Sequence, residues 1–178
     1  MRNVTLLDIY THPVARKFVT RSGLRHAIDT ANTAYNLAVE MDVDPDLATK
    51  AAFMHDIGHY TWYREDGKWD FDRYKENDIH AIKGAERAHK LLIRLGEDRS
   101  KAKEIALAIL LHTDSYLPEG TLALNQLQQI VAKADELNEQ PNGNHHYLTI
   151  NENEANDLLT QLDQKVEEYE AVGQKKTS

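Results

Sequence analysis

Residues 25–59 read "RHAIDTANTAYNLAVEMDVDPDLATKAAFMHDIGH". Two apolar runs lie between histidines at either end. Leu24, Ala27, Ile28, Ala31, Ala34, Tyr35, Ala38 and Met41 recur at three- and four-residue steps. That spacing predicts a helix over 24–41 with one buried stripe. "VDP" interrupts the pattern, and Pro45 is placed to open a second helix over 46–57. The second run ends in "MHDIGH", where His55, Asp56 and His59 follow directly on Ala51, Ala52, Phe53 and Met54. Charge set against an apolar core is costly unless it has a partner. Either these groups hold something between them, or they form a polar helix end facing water.

Working outward, helical spacing continues almost everywhere. Residues 78–95 carry Ile79, Ile82, Ala85, Ala88, Leu91, Leu92 and Leu95, with Gly96 as a stop signal. Residues 101–112 form a dense apolar run ending at His112, and 122–137 carry Leu124, Leu127, Ile130, Val131 and Ala134. Residues 152–171 show a thinner stripe, as expected of a surface helix, and the tail "GQKKTS" is expected to fray. The first 20 residues hold at least one further helix, with Thr11 and Pro13 as opening signals. No sustained alternation of period two occurs. The expected fold is an all-α single-domain bundle of about six or seven helices. Residues 1–21 are read as a helical extension, 22–137 as the core, and 138–178 as a loop and a C-terminal surface helix.

Two connections break the pattern. Residues 60–78 are long for a helix–helix link and hold Tyr60, Trp62, Tyr63, Trp69, Phe71 and Tyr74. A loop of that length is expected to be a lid, a binding loop or a packing flap, or else disordered. Its aromatic faces would suit a nucleobase. Residues 138–147, "NEQPNGNHHY", are a turn-rich link to the last helix.

The 178 residues suffice for one domain with a real core. A net charge of −8 argues against a general nucleic-acid binder, which needs a basic footprint. It leaves room for a small phosphorylated substrate, because a metal ion can supply positive charge locally. With no cysteine, disulfides, iron–sulfur clusters, thiolate zinc sites and cysteine nucleophiles are all excluded. The N-terminal apolar stretch is too short for a signal peptide, and no run approaches a membrane span. The chain is read as soluble and cytoplasmic, with its oligomeric state open and a homodimer allowed.

Of nine histidines, several fall at the margins of apolar faces. His26 lies near the start of one helix, and His55 and Asp56 end the next. His80 sits in a first turn, His112 ends an apolar run, and Asp135 lies late in the fifth predicted helix. Taken singly, each has an ordinary reading as a cap or a solvated group. Together, imidazole and carboxylate drawn from several helices suit a divalent transition metal: iron, manganese, nickel, cobalt or zinc.

The order His26, His55-Asp56, Asp135 on successive helices resembles the HD-domain superfamily of metal-dependent phosphohydrolases. The resemblance covers roughly residues 22–137. "HAIKGAERA" (80–88) and "AILLHTDSY" (108–116) further resemble the segments that supply two extra histidines in a binuclear subgroup. The resemblance implies one ion on His26, His55, Asp56 and Asp135. A second would sit on His80 and His112, with Asp56 as a bridge. A single-metal site, with His80 and His112 as phosphate donors, is the alternative. Asp56 and His59 are the candidate catalytic residues. His59 stands where many relatives have lysine, and it is a candidate for protonating the leaving oxygen. Lys83, Arg64 and Arg73 are candidates for holding substrate phosphate, and each also reads as a solvated charge. His145 and His146 lie outside this layout and receive no role. The implied activity is hydrolysis of a nucleotide or other small phosphate ester. A di-iron oxygenase on the same scaffold and a non-catalytic ligand-binding domain are the rival readings.

Overall fold

The computed structural model describes residues 2–59, 64–68, 70, 72–73, 78–114 and 123–176. Its helices are α1 (Leu6–Thr11), α2 (Pro13–Glu40), α3 (Pro45–Met54), α4 (His80–Leu95), α5 (Arg99–Leu110), α6 (Gln126–Asn138) and α7 (Glu152–Lys176). A 3₁₀ segment, Pro141–Tyr147, joins the last two. No strand occurs among the described residues, so the fold is all-α. None of these helices is long and apolar enough to cross a membrane.

α3 is the axis of the molecule. Asp44 caps it by accepting from the Asp46 N–H at 2.9 Å, and Pro45 occupies its first turn. Every residue from Pro45 to His59 is buried. Small side chains at Ala48, Ala51 and Ala52 let α2, α5 and α6 close around it. Even Asp46, Thr49 and Lys50 are inside. The Lys50 ammonium lies 2.7 Å from Asp46 and 2.5 Å from Glu97. Arg2 bridges Asp46, at 2.7 Å, to Asp163 of α7 at 2.5 Å. Asp163 also accepts from the N–H groups of Leu6 and Leu7, at 2.8 and 3.0 Å, and so caps α1. The N-terminus, the core helix and the C-terminal helix therefore meet in one ionic network.

α2 runs through the boundary expected between residues 21 and 22. The sequence pattern restarts near Leu24 because the helix is broken at Gly23, which adopts φ 116° and ψ 85°. A side chain at that φ would be strained, and a Cβ there would come within 3.1 Å of the His146 backbone. The break lets the 3₁₀ segment approach α2.

The turn after α3 is fixed as tightly. At Gly58 a Cβ would lie 1.9 Å from the His80 carbonyl oxygen and 2.3 Å from the Gly84 nitrogen. Only glycine permits that crossing of the turn over the start of α4. Arg87 of α4 donates to the Ile57 carbonyl, and its guanidinium sits 3.5 Å from the centre of the Phe18 ring.

Candidate metal centre

The packing brings three helix ends together. His55 and Asp56 follow the C-terminus of α3, His80 opens α4, and His112 lies just beyond α5. His26 of α2 and Asp135 of α6 close the sides. On one side, His26 Nε2 lies 3.2 Å from His55 Nε2 and 3.1 Å from Asp135 Oδ1. His55 Nε2 is 3.2 Å from both Asp135 Oδ1 and Asp56 Oδ2. On the other side, His80 Nε2 and His112 Nε2 are 3.0 Å apart. They face Asp56 Oδ1 at 3.6 and 3.8 Å. Thus the two oxygens of Asp56 look toward two different groups of imidazoles.

The outer nitrogen of each ring decides which nitrogen carries a lone pair. A carbonyl can only accept, so a ring nitrogen against one must bear the proton. His55 Nδ1 donates to Ala52 O and His112 Nδ1 to Ile109 O, both at 2.6 Å. His80 Nδ1 is held in the same way by the Asp78 carboxylate. In all three the Nε2 lone pair then points at another lone pair or at a carboxylate. Such atoms repel unless a cation sits among them. At separations of 3.0–3.2 Å these donor atoms lie close enough for one ion to be shared among them, since divalent transition metals take imidazole nitrogen and carboxylate oxygen at about 2.0–2.2 Å. The donor chemistry and the outward anchoring of Nδ1 are those of metal-binding histidines. The donor sets His26/His55/Asp135 and His55/Asp56/His112 could each hold an ion.

The electrostatics agree. Burial opposes charge on His55, but Asp56 and Asp135 outweigh it and hold its pKa well above the ordinary value. Without a metal, a proton takes the cation's place there. Burial would raise Asp56 and Asp135, yet the surrounding imidazoles push both well below the usual carboxylate range. His112 is lowered to about 4 by burial and by His55 and His80, so it is neutral at pH 7.

Three more imidazoles complete the wall. His59 Nε2 lies 2.8 Å from Asp56 Oδ1, and its ring stacks on His80 at 4.3 Å. Burial lowers its pKa, which leaves it neutral. His145 and His146, set aside in the sequence, enter from the 3₁₀ segment. His146 Nδ1 donates to the Ser22 carbonyl at 2.5 Å and lies 4.0 Å from Asp56 Oδ2. Burial lowers His146 to about 3. His145 has the opposite tautomer. Its Nδ1 accepts from the Gln140 N–H at 2.9 Å, so the neutral ring keeps its proton on Nε2. The only sequence signal for this pair was two histidines in a turn-rich link. Gly23, whose break receives them, lies more than 120 residues away.

A cavity of about 560 Å³ opens over these groups, bounded on its far side by the 3₁₀ segment. Neither Lys83, Arg64 nor Arg73 lines it. Lys83 borders a separate depression with Glu86, Arg87 and Lys90. Arg64 is half exposed, 3.9 Å from Asp70, and Arg73 is exposed. The aromatic residues Tyr60, Trp62, Tyr63, Trp69, Phe71 and Tyr74, expected to form a lid or stacking loop, lie outside the described residues.

The HD-domain family model matches residues 23–139, from the α2 break to the end of α6. The chain belongs to the HD-domain family. It is 64% identical over 171 residues to a Bacillus subtilis (strain 168) protein named "Putative phosphohydrolase YueE". The match covers 96% of this chain and 97% of that one. No solved structure matches it. The family brings its general chemistry, metal-dependent phosphohydrolysis, and HD domains bind divalent metals.

Proposed function

We propose that the protein hydrolyses a small phosphate ester, a nucleotide among the candidates, using two divalent ions. His26, His55, Asp135 and Asp56 Oδ2 would hold one, and His80, His112 and Asp56 Oδ1 the other. Bound there, the ions supply the positive charge and the activated water that phosphoryl transfer requires. The carrying observation is the inward convergence of Nε2 lone pairs whose Nδ1–H groups are tied outward. The family match and the name borne by the Bacillus protein support the reaction class.

The chain's own groups divide the remaining work. Asp56 spans both donor groups and keeps them in register. His59 lines the cavity beside Asp56, and we assign to its neutral imidazole a proton relay: it would take a proton from the attacking water and pass it to the leaving oxygen. His145, with its proton on Nε2, offers a neutral donor to a phosphoryl oxygen.

Elemental analysis of protein purified without chelator tests the ion count: two equivalents are expected, and one would demote His80 and His112. Phosphate release from a panel of esters with metal restored is the companion measurement. Asp56→Ala should lose both metal and turnover, with a drop of roughly three orders of magnitude or more. Undiminished hydrolysis by metal-free Asp56→Ala protein would sink the proposal.

A further inference from the structure

The cavity holds an imbalance of charge. Asp56, Asp78, Asp135, Glu136 and Glu139 border it, and no lysine or arginine does so among the described residues. These carboxylates are not equivalent. Asp56 and Asp135 lie at the floor, where the donor groups converge, and Asp78 is engaged with His80. Glu136 and Glu139 stand at the solvent edge on the last turn of α6 and just beyond it. Glu136 is paired with the exposed Lys133 at 2.8 Å. No ion pair to Glu139 is found among the described residues. Two divalent ions at the floor would meet one phosphoryl group there. Any further phosphate would project toward the edge, where Glu139 has no ion-pair partner among the described residues.

We infer that the site is selective for a single terminal phosphoryl group on a neutral, donor-rich leaving group, and discriminates against polyphosphates. This rests on the phosphohydrolase reading above. Like charges brought together at the rim of a partly enclosed site repel, so a second phosphate should be disfavoured. Gln140 and Asn142, beside Glu139 on the same wall, add hydrogen-bonding amides of the kind that suit hydroxyl groups. The identity of the neutral portion is left to those donors and acceptors. The charge limit comes from Glu139, since Glu136 is offset by Lys133.

The test compares one nucleoside as its mono-, di- and triphosphate, with metal in excess of total phosphate. Binding of inorganic phosphate and tripolyphosphate to the metal-loaded protein is followed in parallel by calorimetry. The monophosphate should lead in kcat/KM by about tenfold or more. Tripolyphosphate should bind no more tightly than phosphate. Glu139→Lys should reverse the preference in both readouts, and Glu139→Gln should narrow it. Equal or better use of the triphosphate, with tighter tripolyphosphate binding that Glu139→Lys leaves unchanged, overturns the inference while the phosphohydrolase reading stands. Absence of hydrolysis for every phosphate ester under metal loading removes that reading, and this inference with it.

Discussion

Helix α3 carries a buried polar cluster at each end, and the two are built on opposite principles. At its N-terminus, Asp46 and Lys50 join Arg2, Glu97 and Asp163, and each charge has an opposite charge within 2.7 Å. At its C-terminus, about 15 Å along the axis, His55 and Asp56 join His26, His80, His112 and Asp135. There the close neighbours are lone pairs facing lone pairs and carboxylates. The first cluster is complete within the chain. The second, on the proposed reading, is completed by a cation, whose place a proton on His55 takes when no metal is bound. Burial of polar groups is thus no index of function by itself; what separates the two ends is whether the protein satisfies its own charges.

The largest effect should come from opening the complete cluster. Lys50 is fully buried with both carboxylates in contact. Lys50→Ala leaves Asp46 and Glu97 facing each other in the core, and removing one partner of a buried ion pair costs about 3–5 kcal/mol. Urea unfolding measures this, and metal content per folded molecule should stay at the wild-type value. A loss below about 1 kcal/mol, the range of exposed pairs, would mean that water reaches this network and that the contrast between the two ends is false.

The incomplete cluster should respond to metal instead. A ligand that binds only the folded state adds about 2.7 kcal/mol when it is present at a hundred times its Kd. Thermal unfolding with and without a divalent ion should show that gain in the wild type and in any Lys50 variant that folds. Asp56→Ala should show almost none of it. A gain of equal size in Asp56→Ala would place the ion elsewhere.

The same contrast explains what could be read in the sequence. His26, His55, Asp56, His80, His112 and Asp135 all sit at or near helix ends set by apolar spacing. Periodicity places them only at the margins of apolar faces; it is the resemblance of their order to the HD-domain family that implies they act together. His145 and His146 could not be anticipated. Their placement depends on a 3₁₀ segment with positive φ at Asn142 and Gly143, and on a helix break at Gly23. The 3₁₀ segment leaves no periodic trace, and the restart of the apolar pattern near Leu24 does not say what packs against the break. The Lys50 network was equally silent, because a lysine in an alanine-rich helix looks the same whether its ammonium meets water or two carboxylates. Arg64, Arg73 and Lys83 show the reverse difficulty. Proximity in sequence to the histidines suggested phosphate contacts, but none of the three is among the described residues that line the cavity.

The smallest effect separates the two clusters by pH. Asp46 is fully buried, which alone would raise its pKa, but Lys50 and Arg2 outweigh burial and leave it below the ordinary 3.8. A carboxylate depressed in the folded state contributes stability that is fully present above its unfolded pKa. That contribution is lost as pH falls through the folded pKa. Asp46 should therefore steepen the loss of stability below about pH 4. Asp56 is depressed in the same sense, but by the imidazoles of the other cluster. Its share of the acid limb should grow when metal is bound, because a cation favours the ionised carboxylate further. Asp46→Asn should lower stability at pH 7 and flatten the acid limb equally with and without metal. Urea midpoints at pH 7 and pH 3.5, measured in both metal states, resolve the two contributions. If the flattening depended on metal, the network around Lys50 and the centre around Asp56 would be coupled through α3 rather than independent.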